Sequence, residues 1–328
     1  MTFAASRWAE DLCALGTSCP DHFLRTRISP MFVPWDPAKD DIASLCQRIA
    51  ARAADYREKY AAYYNAFADA DSPQLRDSNP SVVVIPGLGL FGFAKDKREA
   101  RITTEFFLNA IHVMAGANAL EDDDREGGVV PQAKRPEQAA HFASFHNYVA
   151  LPRLEAFRIE YWALEEAKLQ RLPPEREFSR KIALVVGGGS GIGREVVMQL
   201  AQRGAHVVVA DLNVDAAKDA ADAAAGGSSA ELVLPVALDL ASRGSIRDVI
   251  KATVLAFGGL DIIINTAAIY PTPAPGTPAE EVWTQAMAIN VSSNHVLAQE
   301  AAELFTSQAL TASIVLTSSA NAVVPKHG

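Results

Sequence analysis

The sequence predicts an α/β protein. A doubly wound parallel sheet, incomplete at one edge, fills the C-terminal half, and a smaller α/β region precedes it. Two observations carry that prediction. From Ile182 onward, short apolar runs alternate with amphipathic stretches, and a glycine-rich segment separates the first run from the first stretch. Parallel strands need crossover helices to join them, and those helices cover both faces of the sheet.

In chain order, Pro20, Pro30, Pro34 and Pro37 break up the first stretch. Ile42, Leu45, Cys46, Ile49 and Ala53 then recur at helical spacing, and the pattern continues through Tyr56, Tyr60, Tyr63 and Phe67. Val82 to Ile85 reads as a buried strand. The loop Gly87-Leu88-Gly89 and a helix from about Asp96 to Gly116 follow it, with His112 on the apolar face. That order suggests half of a nucleotide-binding type of unit. Lys95 and Lys97 are candidates to receive a phosphate or carboxylate there, although a packing turn with solvated lysines explains them too.

Glu121 to Pro136 is charged, and its Asp122-Asp123-Asp124 reads as a solvated surface rather than a metal site. A helix is expected over Leu154 to Leu172. The predicted organisation is residues 1–172 with an insertion at about 121–150, a linker at 173–180, and the sheet domain at 181–328. In that domain the expected strands are Ile182–Val186, His206–Ala210, Leu232–Val236, Asp261–Asn265 and Ser313–Thr317. The expected helices are Gly191–Arg203, Val214–Ala225, Ser242–Phe257 and Ala279–Phe305.

Lys and Arg sum to 30 against 39 for Asp and Glu, a net charge of -9. That balance gives no footprint for nucleic acid and no basic anchor for a membrane. The three cysteines, Cys13, Cys19 and Cys46, read as buried thiols in a reducing compartment, and a cytoplasmic location is expected. No metal site is expected. His22 beside Asp21 reads as structural, and His141 and His146 do not share a helical face.

Gly187-Gly188-Gly189-Ser190-Gly191-Ile192-Gly193 carries most of the functional argument. Glycines there allow a tight turn and let a pyrophosphate approach the backbone, to meet the positive end of the following helix. Asp211 closes the next strand. A carboxylate at that place accepts from ribose hydroxyls and repels a 2′-phosphate, which favours NAD over NADP.

The spacing Gly-x-x-x-Gly-x-Gly resembles the short-chain dehydrogenase/reductase family, and further residues match in order. They are Asp239-Leu240 after the third strand, Asn265-Thr266-Ala267-Ala268 after the fourth, Asn290 in the long helix, and Ser319 after the fifth. The resemblance implies a Rossmann-type sheet and NAD as cofactor. It marks Gly187, Gly189, Ser190, Gly191, Ile192, Gly193, Asp211, Leu212, Asp239, Leu240, Asn265 and Ala267 as cofactor-binding. Ser319 and Asn290 it marks as catalytic, the serine holding the substrate oxygen and Asn290 kinking its helix and supporting a proton relay. Val186, Thr266 and Ala268 depart from the family's Thr, Asn and Gly, and are expected to cost local hydrogen bonds or alter packing. The family also has Tyr-x-x-x-Lys beyond the serine. None of the seven tyrosines has a lysine four residues downstream, and Lys326 does not occupy that position.

The segments Gly16–Thr26, Pro86–Lys97 and Phe157–Leu169 resemble the fusion of a class II, rhamnulose-phosphate-type aldolase with a short-chain dehydrogenase. The resemblance implies an NAD-dependent oxidoreductase acting on a small hydroxy or carbonyl compound of deoxy-sugar metabolism, and a homo-oligomer for the intact protein. The chain is expected to be a piece cut at both ends and silent as a dehydrogenase by itself. The alternatives are a cofactor-binding module without catalysis, or lyase activity in a preceding aldolase part.

Overall fold

The structure is a computed structural model, and it describes residues 3–6, 8–124, 148–171, 173–226, 230–271 and 277–319. The chain divides into two compact units. One comprises Met1–Ala94 and Glu99–Pro173, the other Lys95–Arg98 and Pro174–Gly328.

In the first unit, β1 (Met31–Phe32), β2 (Val82–Ile85) and β3 (Gly89–Gly92) form a sheet in that order. β1 runs parallel to β2, and β3 runs antiparallel. The expected strand and the helix that follows are present, but the glycine loop between them is corrected. Ile85 pairs with Gly89, and Gly87 turns the chain at φ 79°, so this is a hairpin turn and not a phosphate cradle.

The helix Ile42–Phe67 starts where the Asp41 carboxylate accepts from the Ser44 N–H at 2.8 Å. Its Tyr56, Tyr60 and Tyr63 are buried against Phe157 and Tyr161. There the Tyr60 hydroxyl donates to Glu160 Oε1 at 2.6 Å and accepts from Arg27 Nη1 at 2.9 Å. Burial raises the pKa of the Glu160 carboxyl, while the Tyr60 hydrogen bond and the Arg27 and Arg76 charges oppose that rise.

Other expectations for this unit need correction. The helix expected over Leu154 to Leu172 is two, Arg153–Glu160 and Ala163–Gln170, separated at Tyr161-Trp162. Glu121 to Asp124 belong to the helix Lys97–Asp124 rather than a loop. Tyr148 and Ala150, assigned to an insertion, are buried in a core with Val82, Phe107 and Met114. His141, His146, Lys326 and Leu172 lie outside the described residues. His112 is exposed rather than core. His22 is buried and hydrogen-bonded to Thr17 Oγ1 at 3.2 Å. Of the cysteines only Cys13 is buried, and Cys46 is exposed.

The second unit is built on β4 (Ile182–Val186), β5 (His206–Asp211), β6 (Val233–Ala237), β7 (Ile262–Asn265) and β8 (Ser313–Leu316). They form a parallel sheet in the order β6-β5-β4-β7-β8. Both faces are covered, so the central strands read as continuous apolar runs. On β4, Leu184 and Val186 join one core with Ile246, Ile263 and Leu297. Ala183 and Val185 join the other with Val197, Val207 and Ala217. Each valine, leucine or isoleucine among them contributes on the order of 1.5–3 kcal/mol by leaving water.

Asn213 and Ser242 cap the helices Val214–Ala225 and Arg243–Phe257 through their side chains. The single helix expected over Ala279–Phe305 is three pieces. They are Ala279–Met287, a π turn over Ala288–Ser292, and Ser293–Gln308.

Candidate functional site

Strand order reverses at β4. The chain moves outward through β5 and β6, then returns to β7 on the other side of β4. Ligands of open α/β sheets bind at the C-terminal ends of strands flanking such a switch point. Two loops emerge there, Gly187–Ser190 after β4 and Thr266–Ile269 after β7.

The first loop has the shape of a backbone cradle. Gly187 has φ 76°, and both Gly187 and Gly188 donate their N–H groups to the Ala210 carbonyl, at 2.8 and 3.1 Å. A Cβ on Gly187 would stand 2.8 Å from the Ala267 nitrogen, and one on Gly193 only 2.0 Å from the Gly187 carbonyl oxygen. Side chains are therefore excluded where the loop folds onto its helix. The helix Gly191–Gln202 begins without a side-chain cap at Ser190. Its first-turn N–H groups are then not taken by a capping side chain, and the positive helix end suits an anion. Gly191 and Ile192 are exposed, and Gly193 is buried.

Asp211 ends β5 beside this loop. Its Oδ2 accepts from the Gly189 N–H at 2.9 Å, and its Oδ1 from the Asn213 N–H at 3.0 Å. A carboxylate has about four lone-pair sites, so each oxygen can accept again. Leu212 is 76% exposed.

Asp239 is exposed and shapes a turn. Its Oδ1 accepts from the Ala241 N–H at 2.8 Å, and its N–H donates to Ser245 Oγ at 3.0 Å. Leu240 packs into the core with Ile246 and Val249, so only its backbone is left for a ligand. Ser319 is exposed, beyond the end of β8.

The second loop is tied down by amides. Asn265 is buried. Its Oδ1 accepts from the Ala267 N–H at 3.0 Å, and its Nδ2 donates to Asn294 Oδ1 at 2.6 Å. Asn290 lies in the π turn and holds Ile269 at two points, accepting from its N–H and donating to its carbonyl, both at 2.8 Å.

Thr266 departs from the expected loss of hydrogen bonds. Its hydroxyl donates to the Val186 carbonyl at 2.9 Å, joining the loop after β7 to the end of β4. Sequence reasoning singled out neither Thr266 as a tie nor Asn294 at all. The one signal for Asn294 is its place four residues after Asn290, on the same helical face.

Among the described residues no group of three or more His, Cys, Asp or Glu is placed to hold a metal, and no helix is long and apolar enough to cross a membrane. The cradle, the uncapped helix end and the carboxylate closing β5 fit a dinucleotide.

Residues 1–169, just over half the chain, match the family described as aldolase class II, second domain. The chain belongs to that family. Residues 181–328 match the short chain dehydrogenase family, so the chain joins an aldolase-type domain to a dehydrogenase domain whose family implies NAD or NADP.

An uncharacterized oxidoreductase, YuxG, of Bacillus subtilis is 30% identical over 327 residues, 98% of this chain and 43% of its own length. A 2,5-dichloro-2,5-cyclohexadiene-1,4-diol dehydrogenase of Sphingobium indicum is 39% identical over 158 residues, 46% of this chain and 60% of its own. A D-threitol dehydrogenase of Mycolicibacterium smegmatis is 33% identical over 123 residues, 36% of this chain and 45% of its own. The chain thus spans 43 to 60% of these relatives' lengths. A short-chain type dehydrogenase/reductase from Mycobacterium marinum matches with TM-score 0.41 and 31% identity, over 44% of this chain and 58% of that one.

Proposed function

We propose that this chain contributes the dinucleotide-binding half of an NAD-dependent oxidoreductase acting on a small hydroxy or carbonyl compound. The observation that carries the reading is Asp211 at the end of β5, bonded to the glycine loop after β4 through Gly189. The glycine loop and helix end receive the pyrophosphate, and Asp211 accepts from the adenosine ribose and disfavours a 2′-phosphate. Bound NAD supplies the hydride acceptor. Ser319 holds the substrate oxygen, and the π turn at Asn290 keeps the loop after β7 in place.

The substrate class rests on two supports. The dehydrogenase relatives named above act, by their names, on a cyclic diol and on threitol. The fused aldolase-type domain favours a deoxy-sugar intermediate or its small aldehyde product, with the rhamnulose-phosphate type as the specific reading.

The test is reduction of NAD to NADH, or of NADP to NADPH, by a panel of small hydroxy compounds, lactaldehyde and diols included. Turnover that requires NAD and falls about 10²-fold or more in Ser319→Ala supports the oxidoreductase. Turnover that ignores Ser319→Ala contradicts it. Binding of NAD without turnover by this chain is compatible with the dinucleotide-binding half proposed here, and failure to bind NAD contradicts it.

A further inference from the structure

We infer that Asn294 is a positioning residue, which locks the loop after β7 against the π turn and thereby sets one wall of the glycine cradle. The inference rests on the dinucleotide reading above and extends it to a residue outside the glycine motif.

The argument is one of hydrogen-bond direction. The Ala267 N–H donates to Asn265 Oδ1 at 3.0 Å, which leaves the other end of that buried amide, Nδ2, as a donor only. Asn294 Oδ1 accepts from it at 2.6 Å. The Asn294 amide is then fixed as well, and its Nδ2 donates to the Asn290 backbone carbonyl at 2.9 Å. Asn290 in turn holds both backbone groups of Ile269. Ala267, through Asn265 and Asn294, and Ile269, through Asn290, are thus tied to one stretch of π turn and helix, and the Asn294 amide joins the two ties.

What the loop then does is steric. Ala267 and Thr266 are the residues that a Cβ on Gly187 would meet, at 2.8 and 3.0 Å, and Thr266 Oγ1 would stand 2.5 Å from a Cβ on Gly193. Displacing the loop therefore changes the space in which the Gly187 and Gly193 backbones sit. A side chain with one acceptor and one donor of this reach is required at residue 294. Leucine has neither, and aspartate keeps the acceptor but turns a carboxylate oxygen toward the Asn290 carbonyl.

The experiment is amide hydrogen exchange on the free protein, with NADH titrations alongside. In Asn294→Leu, the Ala267 and Ile269 amides are expected to exchange about tenfold faster while Val208, in the centre of β5, is unchanged. NADH binding is expected to weaken about tenfold. In Asn294→Asp, Ala267 stays protected and Ile269 alone speeds up. General destabilisation would instead move Val208 with the others and would not separate Ala267 from Ile269.

Unchanged exchange at both amides in Asn294→Leu overturns the inference, as does faster exchange with NADH affinity unaltered. If the wild-type protein takes up no NADH, the dinucleotide reading fails, and the exchange pattern alone decides whether Asn294 holds the loop.

Discussion

The backbone N–H of Gly189 donates to the Asp211 carboxylate at 2.9 Å, joining the loop after β4 to the end of β5. The same carboxylate therefore shapes the cradle, and it is the group proposed above to select between NAD and NADP. A Cβ on Gly189 would stand 2.9 Å from Asp211 Oδ2, so a side chain at that position would push the carboxylate out of this contact.

Replacing the carboxylate should change cofactor choice. In Asp211→Ser combined with Leu212→Arg, NADPH affinity is expected to rise and NADH affinity to fall, a change in relative preference of about 1–3 kcal/mol. Leu212 suits the arginine because it is exposed. Paired fluorescence titrations with the two reduced cofactors read the outcome, and unchanged preference would remove Asp211 from the selective role.

The glycines should separate by the space around them. Gly193→Ala places a methyl 2.0 Å from a backbone oxygen, so it is expected to unfold the loop and abolish dinucleotide binding. Gly191 has φ 51°, and a Cβ there would meet nothing within 4 Å, so only its backbone conformation resists substitution. Gly191→Asn is expected to cost about 1 kcal/mol or less, because asparagine tolerates that conformation. Thermal unfolding of the two variants gives the comparison. Equal losses would contradict it.

The doubly wound sheet was legible because strands buried on both faces leave unbroken apolar runs, as in Ile182–Val186 and His206–Ala210. The glycine cradle was legible because its chemistry is local. What sequence reading missed depends on partners distant in the chain. Asn294 acquires its meaning from Asn265, and Thr266 from Val186, across the switch point.

Gly87-Leu88-Gly89 misled because a hairpin turn and a phosphate loop ask the same of glycine. Only the pairing of Ile85 with Gly89 separates them. The misplaced His112 reflects the same limit. Its neighbours Phe107, Ile111 and Met114 are buried while it is not, a difference of phase on one helix.

The buried carboxyl of Glu160 predicts a pH dependence. Its folded-state pKa is raised above the ordinary value of 4.5, chiefly by burial. In that case the unfolded chain releases its proton first, and stability falls as pH rises from about 4.5 through the raised value. Glu160→Gln keeps the shape without the ionisation, so its urea midpoint is expected to lose that downward slope. A slope that persists in the variant would assign it to another group.

The most direct test is a side-by-side titration of the unmodified protein with NADH and NADPH, followed by fluorescence of the bound cofactor. Saturable NADH binding, at least about tenfold tighter than NADPH and lost in Gly193→Ala, is the predicted result. No binding of either cofactor, or equal binding of both, would contradict the assignment of the Gly187–Gly193 loop and Asp211 as an NAD site.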